Sequence, residues 1–347
     1  MNKLRYSPIS MSKLVLSVLA VALAVFAVTP ASFAQATRRV PQDFPTIQLA
    51  VNSANSGDTI RVGPGRWCGA RITKPLNLVG EGATIMGCPA GVPGPVGNIV
   101  RRGFFLNVAA SGSSIRNFIF DGKGVSDTNS DPISLGIQPQ FGTNNVVVDS
   151  NTFLGGLGGI QGPYGNDWLV THNVFDGFTI LSDGSGGFGI LSEDFQGGPF
   201  TGNVYIHNVI MAVIPPGSFS FASYITEVDV PFVGIAVAGH NGAIIAHNKI
   251  AITSNASGDA GAGIVATDSS ADGLSSTDSN LVITDNDGRG SQYGLIITKD
   301  QFGGTANTAG ATIRGNFGVN LINGSTSNIN NRSRHTLLTC DSSGVCQ

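Results

Sequence analysis

The chain has 347 residues, of which 48 are Gly and only 12% are charged, and Val, Ile, Thr and Asn are abundant. That balance suits many short strands joined by turns and argues against a helical bundle or a doubly wound α/β fold. The formal charge is −3, and Lys and Arg are scattered, with no cluster denser than pairs such as Arg38-Arg39 and Arg101-Arg102, so nucleic acid is not an expected partner.

Residues 1–34 place Lys3, Arg5 and Lys13 ahead of an unbroken apolar run from Leu14 to Val28, then close on small residues up to Ala34. This is the layout of an export signal, and the run is short for a bilayer span. Cleavage after Ala34 or Ala36 would leave no membrane anchor, and the expected destination is secreted or periplasmic. Loss of those three cations leaves 16 basic against 22 acidic side chains, a net charge of −6.

The next predicted element is a short helix over residues 46–55. Thr46 suits the N-cap, and Ile47, Ala50, Val51 and Ala54 make one apolar face. Cys68, Cys88, Cys340 and Cys346 lie near the two ends of the exported part. In an oxidising compartment they are expected to form disulfides. Three pairings are open, and loop closure is least demanding for Cys68–Cys88 and Cys340–Cys346. Their spacings match no zinc site.

From residue 101 two columns recur. One is an asparagine with an apolar residue three positions before it: Asn151, Asn173, Asn208, Asn248, Asn286 and Asn316, with Phe118 in the same slot earlier. The other is a Gly followed by an aliphatic or aromatic residue, as in Gly103-Phe104, Gly136-Ile137, Gly159-Ile160, Gly189-Ile190, Gly234-Ile235 and, later, Gly263-Ile264 and Gly294-Leu295. The shortest period, Asn151 to Asn173, is 22 residues and holds runs of alternating apolar residues with no amphipathic helix between them. That is the size of one coil of a β-solenoid. Stacked coils would bring the asparagines into a ladder. Asn is expected there because it tolerates a left-handed bend, and because its amide can hydrogen-bond the Asn of the coils on either side.

The segment Val40 to Gly87 carries Pro45-Thr46-Ile47-Gln48, Gly57-Asp58-Thr59-Ile60 and Lys74-Pro75-Leu76-Asn77-Leu78 before Gly80 and Gly82. It resembles the amino-terminal end of right-handed parallel β-helix proteins of the pectin-lyase-like superfamily, a resemblance that extends over nearly all of residues 40–320. It implies an all-β fold, a single-stranded right-handed parallel β-helix with a short N-terminal capping helix. The expected organisation is a signal at 1–34, a cap and first coils at 35–100, coils with inserted loops at 101–320, and a C-terminal cap or tail at 321–347, in which the stretch His335 to Thr339 suits a last strand.

Enzymes of this superfamily hold substrate along one sheet between loop walls. The long intervals of the repeat carry the residues for such walls: Asp183, Glu193 and Asp194 in one, and Phe219, Phe221, Tyr224, Glu227 and Asp229 in the next. Aromatic faces suit sugars, and paired carboxylates can cleave a glycosidic bond. With His240 from Gly239-His240-Asn241-Gly242, these acids form the catalytic candidates, and the three aromatics are the substrate-binding candidates. The signatures of pectin hydrolases, pectate lyases and pectin esterases are missing, apart from that faint histidine echo. No cofactor is implied, calcium being the one ion the acids could take. His172, His207 and His247 each precede a ladder Asn. Stacking would hold their rings at the strand spacing and pointing the same way, which does not converge on a metal. The leading reading is binding of a polysaccharide or other cell-surface polymer along a loop-walled face. A polysaccharide lyase or glycoside hydrolase, and a non-catalytic structural or surface-interaction protein, are the competitors.

Overall fold

The computed structural model describes residues 35–88, 101–126, 128–129, 132–181, 186–193, 199–214, 232–254, 261–267, 278–298, 311–322, 325–330 and 337–339. Helix α1 (Ile47–Ser53) starts at Thr46, whose hydroxyl accepts a hydrogen bond from the Leu49 N–H at 3.2 Å. Ile47, Ala50, Val51 and Ala54 are buried against the first coil. No helix among the described residues is long and apolar enough to cross a membrane.

Each coil contributes three strands. One coil supplies Val147–Asp149, Thr152–Gly155 and Gly158–Gln161; the next repeats them as Leu169–Thr171, Val174–Asp176 and Phe188–Glu193. Two more follow, Val204–Ile206, Val209–Ile214 and Phe232–Ala238, then Ile244–Ala246, Lys249–Ser254 and Gly261–Thr267. Among the described residues these strands build sheets of 11, 7 and 10 strands, here A, B and C in the order a coil visits them. Pairing is parallel between successive coils, and the winding is right-handed, as parallel crossovers are. The two antiparallel strand pairs among the described residues lie at the C-terminal end. Ser325–Asn330 pairs back on Val319–Ile322, and Leu337–Thr339 on Thr312–Arg314. The second of these lies in the stretch expected to form a last strand. Covering a terminal coil in this way keeps its edge from recruiting another chain.

The core is a set of columns parallel to the axis. Sheet A stacks Val148, Val170, Tyr205, Ile245, Ile283 and Ile313, the residues three before each ladder Asn. Sheet B stacks Phe120, Phe153 and Phe175 face to face, with centroids 4.7 and 4.6 Å apart. Sheet C stacks the residues that follow the repeat glycines, from Phe104 through Ile137, Ile160, Ile190, Ile235 and Ile264 to Leu295.

The glycine column follows from this packing. A Cβ built on Gly159 would sit 2.3 Å from the Phe175 ring and 2.8 Å from the Gly189 carbonyl of the next coil. Neither the stacked ring nor the backbone can retreat. Gly159→Ala is therefore expected to destabilise the fold by about 2 to 3 kcal/mol in urea unfolding, while Thr152→Ala, on the outer face of sheet B, shifts it by less than about 0.5 kcal/mol. An alanine tolerated at position 159 would mean that the coils pack more loosely than this.

Cys68 and Cys88 form a disulfide with Cα atoms 5.6 Å apart. Cys340 and Cys346 lie outside the described residues.

Candidate functional site

Sheets A and B are joined by two residues in coil after coil: 117–118, 150–151, 172–173, 207–208 and 247–248. The second of each pair from Asn151 onward is a ladder asparagine, buried at 2% exposure or less. The amides run head to tail. Asn151 donates through Nδ2 to Asn173 Oδ1 at 3.1 Å, Asn173 to Asn208 at 3.1 Å, Asn208 to Asn248 at 3.0 Å, Asn248 to Asn286 at 2.9 Å and Asn286 to Asn316 at 2.8 Å. The same oxygens also accept the backbone N–H of the preceding Asn.

The left-handed bend is not at the asparagine. It falls one residue earlier, on Ser150, His172, His207, His247 and Asp285, with φ between 53° and 57°. This corrects the expectation that Asn takes the bend: the preceding residue holds the backbone, and Asn is needed for its side chain. Because the backbone is the same in each coil, the three histidine rings leave it in the same direction and stack, centroids 5.2 and 5.1 Å apart and exposed to solvent. His172 Nδ1 lies 3.0 Å from Thr171 Oγ1 and 3.4 Å from Asp149 Oδ1. No group of three or more metal-ligating side chains converges among the described residues.

By contrast, the segments that vary in length join B to C or C to A, so each begins or ends on a strand of sheet C. On the outer face of that sheet, the residue two after each repeat glycine forms a row: Arg71 pairs with Phe105, Phe105 with Gln138, and Gln138 Nε2 donates to Gln161 Oε1 at 2.7 Å. Arg102 donates to Gln138 Oε1. Phe105 lies between two guanidinium groups, Arg71 at 5.5 Å and Arg102 at 5.7 Å from its centroid. Arg71 is also fixed by Asn107 Oδ1 at 2.8 Å. Phe141 and Tyr164 stack at 4.4 Å, one coil apart. The row then changes character. Leu191, Ala236, Val265 and Ile296 continue it as a second, buried apolar cluster outside the main core.

Glu193 lies at the end of the strand whose Leu191 pairs with Gln161, and it is buried. Burial pushes its carboxyl up to about 8, so it is protonated at neutral pH. Tyr164 is raised well above its ordinary value by burial and then by the Glu193 charge. His240 is fully buried at the corner between sheets C and A. Its Nε2 is 3.0 Å from Ser192 Oγ, its backbone N–H donates to Asp278 Oδ1 at 2.7 Å, and its Nδ1 is 3.9 Å from that oxygen. Serine, histidine and aspartate thus meet as in a nucleophilic triad. However, the Ser192 hydroxyl donates to the Pro163 carbonyl at 2.8 Å, and all three side chains are sealed from solvent. A nucleophile needs an open carbonyl-sized space beside it. Burial holds His240 down to about 3, and it packs as a neutral core residue.

Asp183, Asp194, Phe219, Phe221, Tyr224, Glu227 and Asp229 lie outside the described residues. Of the expected chemical pool, the described structure brings Glu193 to sheet C and His240 to the core. Sequence reasoning missed Arg71, Phe105, Gln138 and Gln161, although their constant offset from the glycine column was available as a signal.

These sheets, their register and the asparagine column define a right-handed parallel β-helix. No family model and no curated protein matches the chain. Among solved structures it is similar to PfbA, a surface adhesin of Streptococcus pneumoniae, at 12% identity over 84% of this chain and 70% of that one, with TM-score 0.44. It is also similar to rice weevil pectin methyl esterase, at 15% identity over 90% and 89%, with TM-score 0.41. Likeness at this level carries no inference about activity, and the fold assignment stands on the sheets themselves.

Proposed function

We propose that this is an exported β-helix protein that holds an extended polysaccharide along the first coils of sheet C. The carrying observation is the in-register row of Arg71, Gln138 and Gln161 beside the Phe141–Tyr164 stack. Planar amides on two successive coils, with the Arg71 guanidinium two coils before Gln138 and Phe105 between them, offer hydrogen-bonding groups along the row to a linear polymer, and a neighbouring ring suits the apolar face of a sugar. The amino-terminal leader and the Cys68–Cys88 disulfide fit an oxidising destination outside the cytoplasm.

The test is affinity electrophoresis of the mature protein through a panel of neutral and acidic polysaccharides. One or more should retard it. Gln161→Ala should weaken that retardation at least about fivefold, in the range of a lost hydrogen-bonding group, with the melting temperature nearly unchanged. Absence of retardation by every polymer, or retardation untouched by Gln161→Ala, rejects the site.

A catalytic reading has one observation in its favour: Glu193, protonated at neutral pH beside Tyr164, is in the state a general acid requires. Release of reducing or unsaturated ends from a retained polymer, lost in Glu193→Gln, separates that reading from binding alone.

A further inference from the structure

Thr37–Val40 is the first strand of sheet A and pairs in parallel with Thr59–Val62, Thr37 opposite Thr59. The residue ahead of it already belongs to the fold. The Ala36 N–H donates to Asp58 Oδ1 at 2.9 Å, and the Ala36 carbonyl accepts the Thr59 N–H at 2.9 Å. Asp58 is buried, and its other oxygen accepts from the Asn55 N–H at 2.9 Å and from Arg38 Nε at 3.0 Å, with Arg38 Nη2 also at 3.0 Å. One carboxylate therefore ties together the entry to the first strand, the strand itself and the turn that follows helix α1. Gln35 is exposed and outside any strand. The hydrogen-bonded structure thus begins at Ala36.

Two bonds here follow the small residues that an export peptidase reads: Ala34–Gln35, after Ser32-Phe33-Ala34, and Ala36–Thr37, after Ala34-Gln35-Ala36. The sequence ranks them alike, and the fold does not. A cut between Ala36 and Thr37 takes from Asp58 Oδ1 the amide it accepts and from the Thr59 N–H its acceptor, and it sets a charged ammonium on the first residue of an edge strand. Leaving a buried acceptor unmade costs more than the hydrogen bond itself contributes. A cut between Ala34 and Gln35 removes nothing that the fold uses. The order of events does not alter this. If the chain folds first, the Ala36–Thr37 bond lies between two residues held against the neighbouring strand, whereas the Ala34–Gln35 bond lies beyond them and can enter a protease. If the chain is cut first, only a product that keeps Ala36 can rebuild the whole set of bonds to Asp58. We infer that the leader is removed between Ala34 and Gln35, so that the mature protein starts at Gln35 and Asp58 clamps its amino terminus to the next strand of sheet A.

This rests on the export reading above and is independent of polymer binding on sheet C. The full chain is expressed from Met1 in a bacterial host, and the first residue of the protein recovered outside the cytoplasm is read by mass spectrometry of its amino-terminal peptide. The expected start is Gln35, its amine either free or closed onto its own side-chain amide with loss of ammonia. Ala36→Leu spoils the residue ahead of the other scissile bond but keeps the backbone groups that Asp58 and Thr59 use, so it should be processed at the same place and to the same extent as wild type. A chain prepared to begin at Thr37 should melt below one prepared to begin at Gln35 by about 2 °C or more, for two hydrogen bonds lost in a chain of this size. An exported protein that begins at Thr37, or at any residue other than Gln35, overturns the inference and leaves the export reading standing. So does Ala36→Leu that keeps its leader while wild type loses it. Equal melting of the two prepared chains removes the physical ground and overturns the inference as well. Wild-type protein retained in the cytoplasm with its leader intact rejects the export reading itself and takes the inference with it.

Discussion

Replacing Asn173 with leucine is expected to destabilise the protein by about 3 to 5 kcal/mol, through two or more buried groups losing their partners at roughly 1 to 3 kcal/mol each. The Asn173 side chain takes part in five hydrogen bonds. Its Oδ1 accepts from both the backbone N–H and Nδ2 of Asn151, and its Nδ2 donates to Val148 O, Thr171 O and Asn208 Oδ1. Leucine fills similar space but leaves the Asn151 N–H without an acceptor where water cannot reach. The change should appear as a lower urea midpoint with the same slope. The folded fraction should still bind whatever polymer the wild type binds, because the amide lies on the opposite corner from sheet C. A loss below about 1 kcal/mol would show that the coils do not depend on the column.

Stability should be greatest in mildly acidic solution. Glu193 is raised from 4.5 to about 8 by burial, and His240 is lowered from 6.5 to about 3 by burial. Above 4.5 the unfolded chain releases the Glu193 proton while the folded chain keeps it, so stability falls as pH rises toward 8. Below 6.5 the unfolded chain binds a proton on His240 that the folded chain refuses, so stability falls as pH drops toward 3. Between 4.5 and 6.5 the two slopes oppose each other and a plateau results. Glu193→Gln removes the alkaline arm and should raise stability near pH 9 by about 3 to 5 kcal/mol relative to wild type, at roughly 1.4 kcal/mol per pH unit. Urea unfolding across pH, for both proteins, tests it. A wild type as stable at about pH 9 as at about pH 5.5, when linkage demands a loss of several kcal/mol, would mean that Glu193 is not held in a dry site.

The solenoid was legible because two of its physical demands recur at a fixed place in every coil. The inward aliphatic residues and the amide column cannot vary without breaking a neighbour, so Val148, Val170 and Tyr205 announce the core, and Asn151, Asn173 and Asn208 the corner. The bend was misplaced by one residue because two jobs sit side by side. His172 takes the strained backbone and Asn173 the hydrogen bonds, and both are polar residues that tolerate turns. The outer row of sheet C shares a position but no chemistry: Arg71, Phe105, Gln138, Gln161 and Leu191 have nothing in common but register. The long interval of the repeat put Glu193 in a loop wall, whereas it ends the strand Phe188–Glu193 and is buried, and nothing local in the sequence says that this part of the face is covered. His240 likewise stands in a glycine-flanked turn sequence, and only the packing of Phe200 and Tyr205 around its ring makes it core.

The amide column has a direction, and direction makes the two ends of the rod chemically different. Every link runs from a donor in one coil to an acceptor in the next, so a chain cut short behind Asn286 would display bare N–H groups, while one begun late, at Asn173, would display a bare carbonyl. Carbonyls tolerate incomplete pairing better than N–H groups do. Truncations from the carboxyl side should therefore be the more damaging.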